Sequence, residues 1–191
     1  MQRPPSSPLP PSRGLGFGRL FFLVLTLVLL ELSLHGLLLP LLGLHAAALV
    51  GTAVALVAFP WWMARRLGAS PAAFFGLARP TSSQVLWTVV ATLASLPAVD
   101  RLTEWNLRLL PPPPGYQEAL AEAVPHDPLG WVLAALGMVV VGPLGEEMVF
   151  RGMLQRSGRR AVGSKQALLL VAVLFAAVHL RPYHLAGLLA V

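Results

Sequence analysis

The sequence contains no cysteine and few charged residues. None of its 191 residues is cysteine, and Asp, Glu, Lys and Arg together make up only 12%. The lack of cysteine excludes disulfides, thiolate metal ligands and a cysteine nucleophile. A soluble domain usually carries about 25% charged residues. The charge content is therefore too low for an ordinary soluble protein.

Long apolar runs fill most of the chain instead. Hydrophobic residues make up 56% of the sequence, and several uncharged runs approach the roughly 18–20 residues that span a bilayer. The runs do not alternate polar and apolar residues, as the strands of a membrane barrel do. A helix satisfies its own backbone groups in lipid. The sequence therefore predicts an all-α, polytopic transmembrane bundle with about five complete spans and the start of a sixth.

The spans are bounded by segments rich in proline, glycine or arginine. Residues 1–18 are rich in Pro, Ser and Gly and are predicted to form a disordered cytoplasmic tail. The five complete spans are predicted at Leu20–Leu39, Ala46–Ala64, Val85–Val99, Leu129 to about Gly158, and Gln166–Leu180.

The connections between spans differ in character. Residues 100–128 are predicted to be a polar connection in which "YQEALAEAV" forms a short helix. Asp127 and Pro128 are predicted to be the N-cap and first position of the fourth span. "RRAVGSK" is predicted to be a turn, and "HLAGLLAV" to begin a sixth helix.

Arginine and lysine are unevenly distributed between the two sides. If the spans alternate in direction, eleven of the fourteen basic residues lie on the side of the amino terminus, and Arg101, Arg108 and Arg181 lie on the other. The positive-inside rule then predicts an integral plasma-membrane protein with a cytoplasmic amino terminus and residues 100–128 outside. This distribution accounts for the net charge of +6, so we expect membrane lipid and no nucleic acid as a partner.

The stretch "VGPLGEEMVFRG" places charges inside the fourth span. Such charges are costly and usually face a cavity or a partner. Glu147 and Arg151 share a helix face in the favoured order, so we expect Arg151 to neutralise Glu147. Glu146 lies about 100° around the helix and is left to act on a proton or water. Pro143 removes a backbone N–H and predicts a kink that admits water or a peptide.

The fifth span carries His179. The midpoint between Glu146 and His179 falls inside the predicted turn. In an antiparallel hairpin both residues then lie at one depth, roughly 20–25 Å from the turn. Phe150 and Phe175 pair in the same register. The spacing therefore predicts that a carboxylate and an imidazole meet inside the membrane.

Two motifs carry a family resemblance. "EEMVFRG" resembles the EExxxR motif, and "FAAVH" the FxxxH motif, of the CPBP family of CAAX-prenyl-endopeptidase-like and Abi intramembrane proteases. The resemblance covers roughly residues 85–191, predicted to be a partial protease core after N-terminal transmembrane helices at 19–84. It implies an intramembrane endopeptidase in which Glu146 and His179 activate water, Glu147 assists, and Arg151 holds the carboxylates.

The resemblance also implies a later histidine, with asparagine or a similar residue four positions on. His184 is no substitute, because Leu188 stands four positions after it, and the sequence ends at Val191. We therefore expect a C-terminally truncated chain that is inactive by itself. The substrate is expected to be a peptide or protein, with prenylated peptides among the candidates.

Metal use and function class stay open at this stage. Glu146, Glu147 and His179 are three candidate zinc ligands, yet the sequence has no HExxH, and a carboxylate–histidine pair can activate water alone. A divalent metal is thus a candidate cofactor that the sequence does not require.

Other interpretations are a buried structural ion cluster, a noncatalytic scaffold or immunity protein of the same fold, and a proton-coupled transporter component. The transporter would also use Glu31 and predicts inverted repeats, which are not evident. Glu31 and His35 are expected to form a satisfied polar pair, with a proton relay as the alternative.

Overall fold

The computed structural model describes residues 17–190, and within that range the chain forms helices and no β-strand. This confirms the all-α prediction. Residues 1–16, most of the predicted tail, lie outside the described part. The helices are α1 (Phe17–Leu42), α2 (Leu44–Arg66), α3 (Pro71–Phe75), α4 (Ser82–Leu109), α5 (Tyr116–Glu122), α6 (Pro128–Val162), α7 (Ser164–Val178) and α8 (Leu185–Ala190), with a 3₁₀ turn at Pro182–His184 before α8.

Four of the helices in residues 17–190 are long and apolar enough to cross a membrane: α1, α2, α4 and α6. The predicted fifth span corresponds to α7, which is apolar but has 15 residues, fewer than the roughly 20 that a bilayer needs. The helix stops there because the backbone turns at Leu180, whose φ is 51°. Four of the about five predicted spans thus correspond to helices long enough to cross a membrane, and the fifth corresponds to a shorter apolar helix.

Helix α4 extends further than the sequence predicted. Its start is fixed by a capping box, in which Gln84 N donates to Thr81 Oγ1 and Thr81 N donates to Gln84 Oε1. The helix continues through residues 100–109, which we predicted to belong to the connection. These residues include good helix formers, and the first strong stop is the proline run that follows Leu110. Polar composition alone was thus a misleading sign of a loop.

The connections sort to two opposite ends of the bundle. At one end Arg156 Nη1 of α6 donates to the Ala73 carbonyl oxygen of α3 at 3.1 Å. At the other end His45 Nε2, at the start of α2, donates to the Ala123 carbonyl oxygen just after α5 at 3.1 Å. The basic α6–α7 turn and the segment around α5 therefore lie at opposite ends, as the predicted alternation requires.

Helix α6 approaches its neighbours closely through two glycines. A Cβ atom on Gly145 would lie 2.6 Å from Leu56 Cβ in α2, and one on Gly152 would lie 2.7 Å from the Phe75 carbonyl oxygen. Neither position has room for a side chain, so the helices meet backbone to backbone. The buried core surrounds these contacts and consists of Val24, Leu27, Ala55, Leu56, Ala64, Phe75, Met148, Val149, Phe150, Met153 and Leu154.

The backbone of α6 changes along its length. Asp127 caps its first turn, with Gly130 N donating to Asp127 Oδ1 at 2.9 Å, as predicted. The helix is π-helical over Leu136–Val141 and Glu147–Gln155, on either side of a short α-helical segment that contains Pro143. Because Pro143 lacks an N–H, the regular bonding pattern cannot pass through it. π-Helical turns are rare, and many of those known lie at functional sites; here one ends at Val141 and the other begins at Glu147, directly after Glu146.

Candidate functional site

Glu146 and His179 meet between α6 and the end of α7. Glu146 Oε1 lies 3.9 Å from His179 Nε2, and the two side chains are 32% and 25% exposed. The rings of Phe150 and Phe175 pair edge to face with centroids 5.2 Å apart. Both contacts confirm the hairpin register that the spacing predicted.

A single residue sets this register. Helix α6 ends at Val162 and α7 begins at Ser164, so only Gly163 separates them. Its φ of 89° lies in the region that favours glycine. The predicted seven-residue turn is thus mostly helical, because both helices continue up to the one glycine that reverses the chain.

The orientation of His179 is fixed by its own helix. Its Nδ1 lies 2.6 Å from the carbonyl oxygen of Phe175. A carbonyl oxygen can only accept, so Nδ1 carries the proton, and Nε2 of the neutral ring is an acceptor that faces Glu146. The Phe175 ring also lies against the imidazole, with centroids 4.5 Å apart. The sequence predicted a packing role for Phe175, and its ring packs against the imidazole of His179 as well as against Phe150.

Glu147 and Arg151 form the predicted ion pair on a different face. Arg151 Nη1 lies 3.0 Å from Glu147 Oε1, and the side chains are 61% and 51% exposed. The protein itself therefore covers less than half of either side chain. Both residues line a small cavity of about 140 Å³ that also borders Glu146 and Phe175. The four predicted site residues therefore form two adjacent pairs, with Glu146 at the boundary.

A larger cavity, of about 610 Å³, opens beside the Glu146–His179 pair. Its walls are α1, α2, α6 and the residues that follow α7. The polar and charged side chains on the wall are Glu31, His45, Thr52, Glu146, His179 and Arg181. Lining residues Leu44, Ala123 and Arg181 are exposed at the end that holds the α1–α2 connection, and Leu32 and Met138 are exposed along the side of the cavity. Leu27 and Val149 are buried at the inner end.

Sequence reasoning missed the partner of Glu31. Thr52 Oγ1 of α2 donates to Glu31 Oε1 at 2.6 Å, in place of the expected pairing with His35. Thr52 lies 21 positions away in another helix, so no local pattern could reveal the contact. The one available signal was the presence of an acid in an otherwise apolar span.

The candidate zinc ligands do not assemble into a metal site. Within residues 17–190, no group of three His, Asp or Glu side chains is placed to hold a metal ion. The carboxylate of Glu147 is paired with Arg151, away from His179. Glu146, Glu147 and His179 therefore do not fit a three-ligand centre in this arrangement, which instead brings together one carboxylate and one imidazole.

One comparison with known proteins is informative. Residues 128–191 match the family model described as type II CAAX prenyl endopeptidase, Rce1-like. The matched segment begins with the first residue of α6 and includes α6, α7 and both motifs. No curated protein and no solved structure matches the chain. The family match, over about a third of the chain, confirms the resemblance stated from the motifs.

Proposed function

We propose that the chain is an intramembrane endopeptidase, a function supported by the match of residues 128–191 to the Rce1-like family model. The observation that carries this proposal is the approach of Glu146 Oε1 to His179 Nε2 at 3.9 Å, on the wall of a cavity large enough for part of a peptide.

The distance between the two groups suits a bridging water. At 3.9 Å the atoms are too far apart for a direct hydrogen bond, but a single water can bridge polar groups at such a separation. Both facing atoms are acceptors, since Nδ1 of His179 is committed to Phe175. A bridging water therefore donates one hydrogen to each group, and its lone pair is left free for attack.

The reaction follows from this placement. Glu146 takes one proton as the water oxygen attacks the scissile carbonyl carbon, and His179 Nε2 accepts a hydrogen bond from the remaining O–H. When the tetrahedral intermediate collapses, the C–N bond breaks and Glu146 returns its proton to the leaving amine. A positioned general base of this kind typically contributes about 10²–10⁴-fold.

Arg151 has a supporting role in this proposal. By pairing with Glu147 at 3.0 Å, it keeps the second carboxylate away from the imidazole. Glu146 is then the one carboxylate of the α6–α7 hairpin that faces His179. We assign Glu147 and Arg151 to positioning rather than to bond breaking.

The cavity wall suggests the kind of peptide. Apart from the six polar or charged residues named above, the lining is mainly leucine, valine, alanine and other apolar side chains. Such a wall suits a peptide with apolar side chains or a covalently attached prenyl chain. We therefore expect the substrate to be a membrane-associated peptide or protein.

The test uses the natural gene product, purified from membranes into nanodiscs. Peptide mixtures with and without a farnesylated cysteine are incubated with it, and mass spectrometry detects cleavage. We expect Glu146→Gln and His179→Ala each to reduce turnover at least about 10²-fold without changing the melting temperature. The matched controls are Glu104→Gln and His126→Ala, both exposed and outside the two cavities.

Near-normal turnover by Glu146→Gln would remove the proposed general base. If the unmutated protein cleaves no peptide, a noncatalytic membrane protein of the same fold becomes the better explanation.

A further inference from the structure

Glu31 is a carboxylate that the proposed reaction does not use. It is the sole acidic residue of α1, a helix apolar enough to cross a membrane, where a charged group is costly. The ion pairs within residues 17–190 join Arg101 to Glu104, Arg151 to Glu147 and His179 to Glu146. Glu31 takes part in none of them, and its partner is the hydroxyl of Thr52.

A purely structural role explains only part of this arrangement. The bond from Thr52 ties α1 to α2, but the two helices also pack directly beside it, where a Cβ on Gly51 would make an ordinary contact of 3.5 Å with the Glu31 carbonyl oxygen. A glutamine would accept the same hydrogen bond without carrying a charge. A carboxylate has about four acceptor sites, and Thr52 occupies one of them. The negative charge of Glu31 and its unoccupied acceptor sites therefore favour a hydrogen-bond donor, and above all a cation, in the cavity.

The charges in the cavity are arranged by depth. The basic side chains His45 and Arg181 lie at the end that holds the α1–α2 connection, whereas Glu31 and Glu146 line its inner part, several helical turns from that end. Glu31 and Glu146 are close enough to interact electrostatically. Coulombic interactions are stronger in such a partly desolvated space than in water. The inner part therefore favours a cationic group, next to the place where the peptide bond would be cleaved.

We propose that Glu31, held by Thr52, is a specificity-determining residue that binds a lysine or arginine side chain of the peptide beside the scissile bond. The inference rests on the proposed function, because it assigns the substrate class of the same site. Glu31 selects the peptide that Glu146 and His179 act on and takes no proton from the water.

The first experiment measures the charge of the cavity without any substrate. Since the chain contains no cysteine, Ala48→Cys puts a single thiol on the cavity wall. The thiol is modified with a cationic and an anionic methanethiosulfonate reagent, with and without Glu31→Gln. We expect Glu31→Gln to lower the cationic-to-anionic rate ratio roughly five- to tenfold, as expected for the loss of one focused charge. Glu104→Gln is the control and should leave the ratio unchanged.

An unchanged ratio in Glu31→Gln would overturn the proposal, because the charge of Glu31 would then not reach the cavity. This result does not depend on proteolysis, so it separates failure of the inference from failure of the proposed function.

The second experiment compares two peptides that differ by lysine or norleucine at positions flanking the cleaved bond. We expect Glu31→Gln to reduce kcat/KM for the lysine peptide about tenfold or more, with less than a twofold change for the norleucine peptide. Thr52→Val removes the hydrogen bond but keeps the charge, and should retain a preference for lysine. An equal loss for both peptides, or a fall in melting temperature without a change in preference, would show that Glu31 is only structural.

Discussion

The Nδ1 atom of His179 lies 2.6 Å from the carbonyl oxygen of Phe175, one helical turn earlier, and the two rings lie 4.5 Å apart. Phe175 therefore fixes the imidazole twice, once through its backbone and once through its ring. In FxxxH the two residues are four positions apart, or about one helical turn, so the backbone and the ring of the phenylalanine can both contact the histidine.

The ring contact leads to a prediction for Phe175→Leu. The backbone bond to His179 survives, but the imidazole loses the surface against which it lies. Since small misplacements of reacting groups cost large factors in rate, we expect turnover to fall roughly tenfold in the peptide-cleavage assay. The matched control is Phe150→Leu, which removes the same ring pair without touching His179. It should cost about 1 kcal/mol of stability and leave turnover less affected.

A second prediction concerns the contact between α6 and α2. Gly145→Ala places a Cβ 2.6 Å from Leu56 Cβ, so the helices must separate, and overpacking of this kind typically costs about 1–3 kcal/mol. Thermal unfolding in nanodiscs should show the loss. Gly36→Ala is the control, because nothing lies within 4 Å of its Cβ position. Leu56→Gly removes that Cβ atom, so Gly145→Ala should cost less stability in the Leu56→Gly background than in the unmutated protein; an equal loss in both would contradict the contact.

The orientation in the membrane can be tested with single cysteines in a chain that has none. His126→Cys lies near the start of α6, and Ser164→Cys lies at the basic α6–α7 turn; both positions are exposed. If the positive-inside rule sets the orientation, an impermeant maleimide on intact cells labels His126→Cys alone. Permeabilised cells should show both labels. Labelling of Ser164→Cys on intact cells would reverse the orientation.

The Glu147–Arg151 pair should contribute little to stability. The protein covers less than half of either side chain, and where water reaches such an ion pair it typically contributes about 0–1 kcal/mol. A double-mutant cycle with Glu147→Gln and Arg151→Met, measured by thermal unfolding in detergent, should give a coupling in that range. A coupling of several kcal/mol would mean that the pair is desolvated in the folded protein.

The hairpin was predictable from the sequence, whereas its surroundings were not. Helical rise per residue is constant enough for the spacing of Glu146 and His179 around a turn to predict their meeting. The α4 extension through residues 100–109 was missed because a polar helix that continues past a span resembles a connection in composition. The π-helical backbone of α6 depends on how the chain adapts around Pro143, which residue types alone do not specify.

The site was predictable only along one hairpin. The pairing of Glu147 with Arg151 follows from i,i+4 geometry, but its exposure depends on which helices pack beside that face. The bond between Glu31 and Thr52 joins α1 to α2, so it depends on the rotation of each helix about its axis. Those rotations depend on how the two helices pack along their whole length, which no local pattern in the sequence reveals.

The one-residue reversal at Gly163 makes the length of the chain between the two motifs part of the site. An insertion or deletion of one residue between Glu146 and His179 shifts one of them by about 1.5 Å along its helix and about 100° around it. The reversal itself has no spare residue to absorb the change, because helix continues on both sides up to the glycine; only the π-helical segment Glu147–Gln155 could adapt by changing its bonding. A single added or missing codon in this segment would therefore separate the pair as effectively as replacing His179, whereas the proline-rich link after α4 can vary in length without that effect.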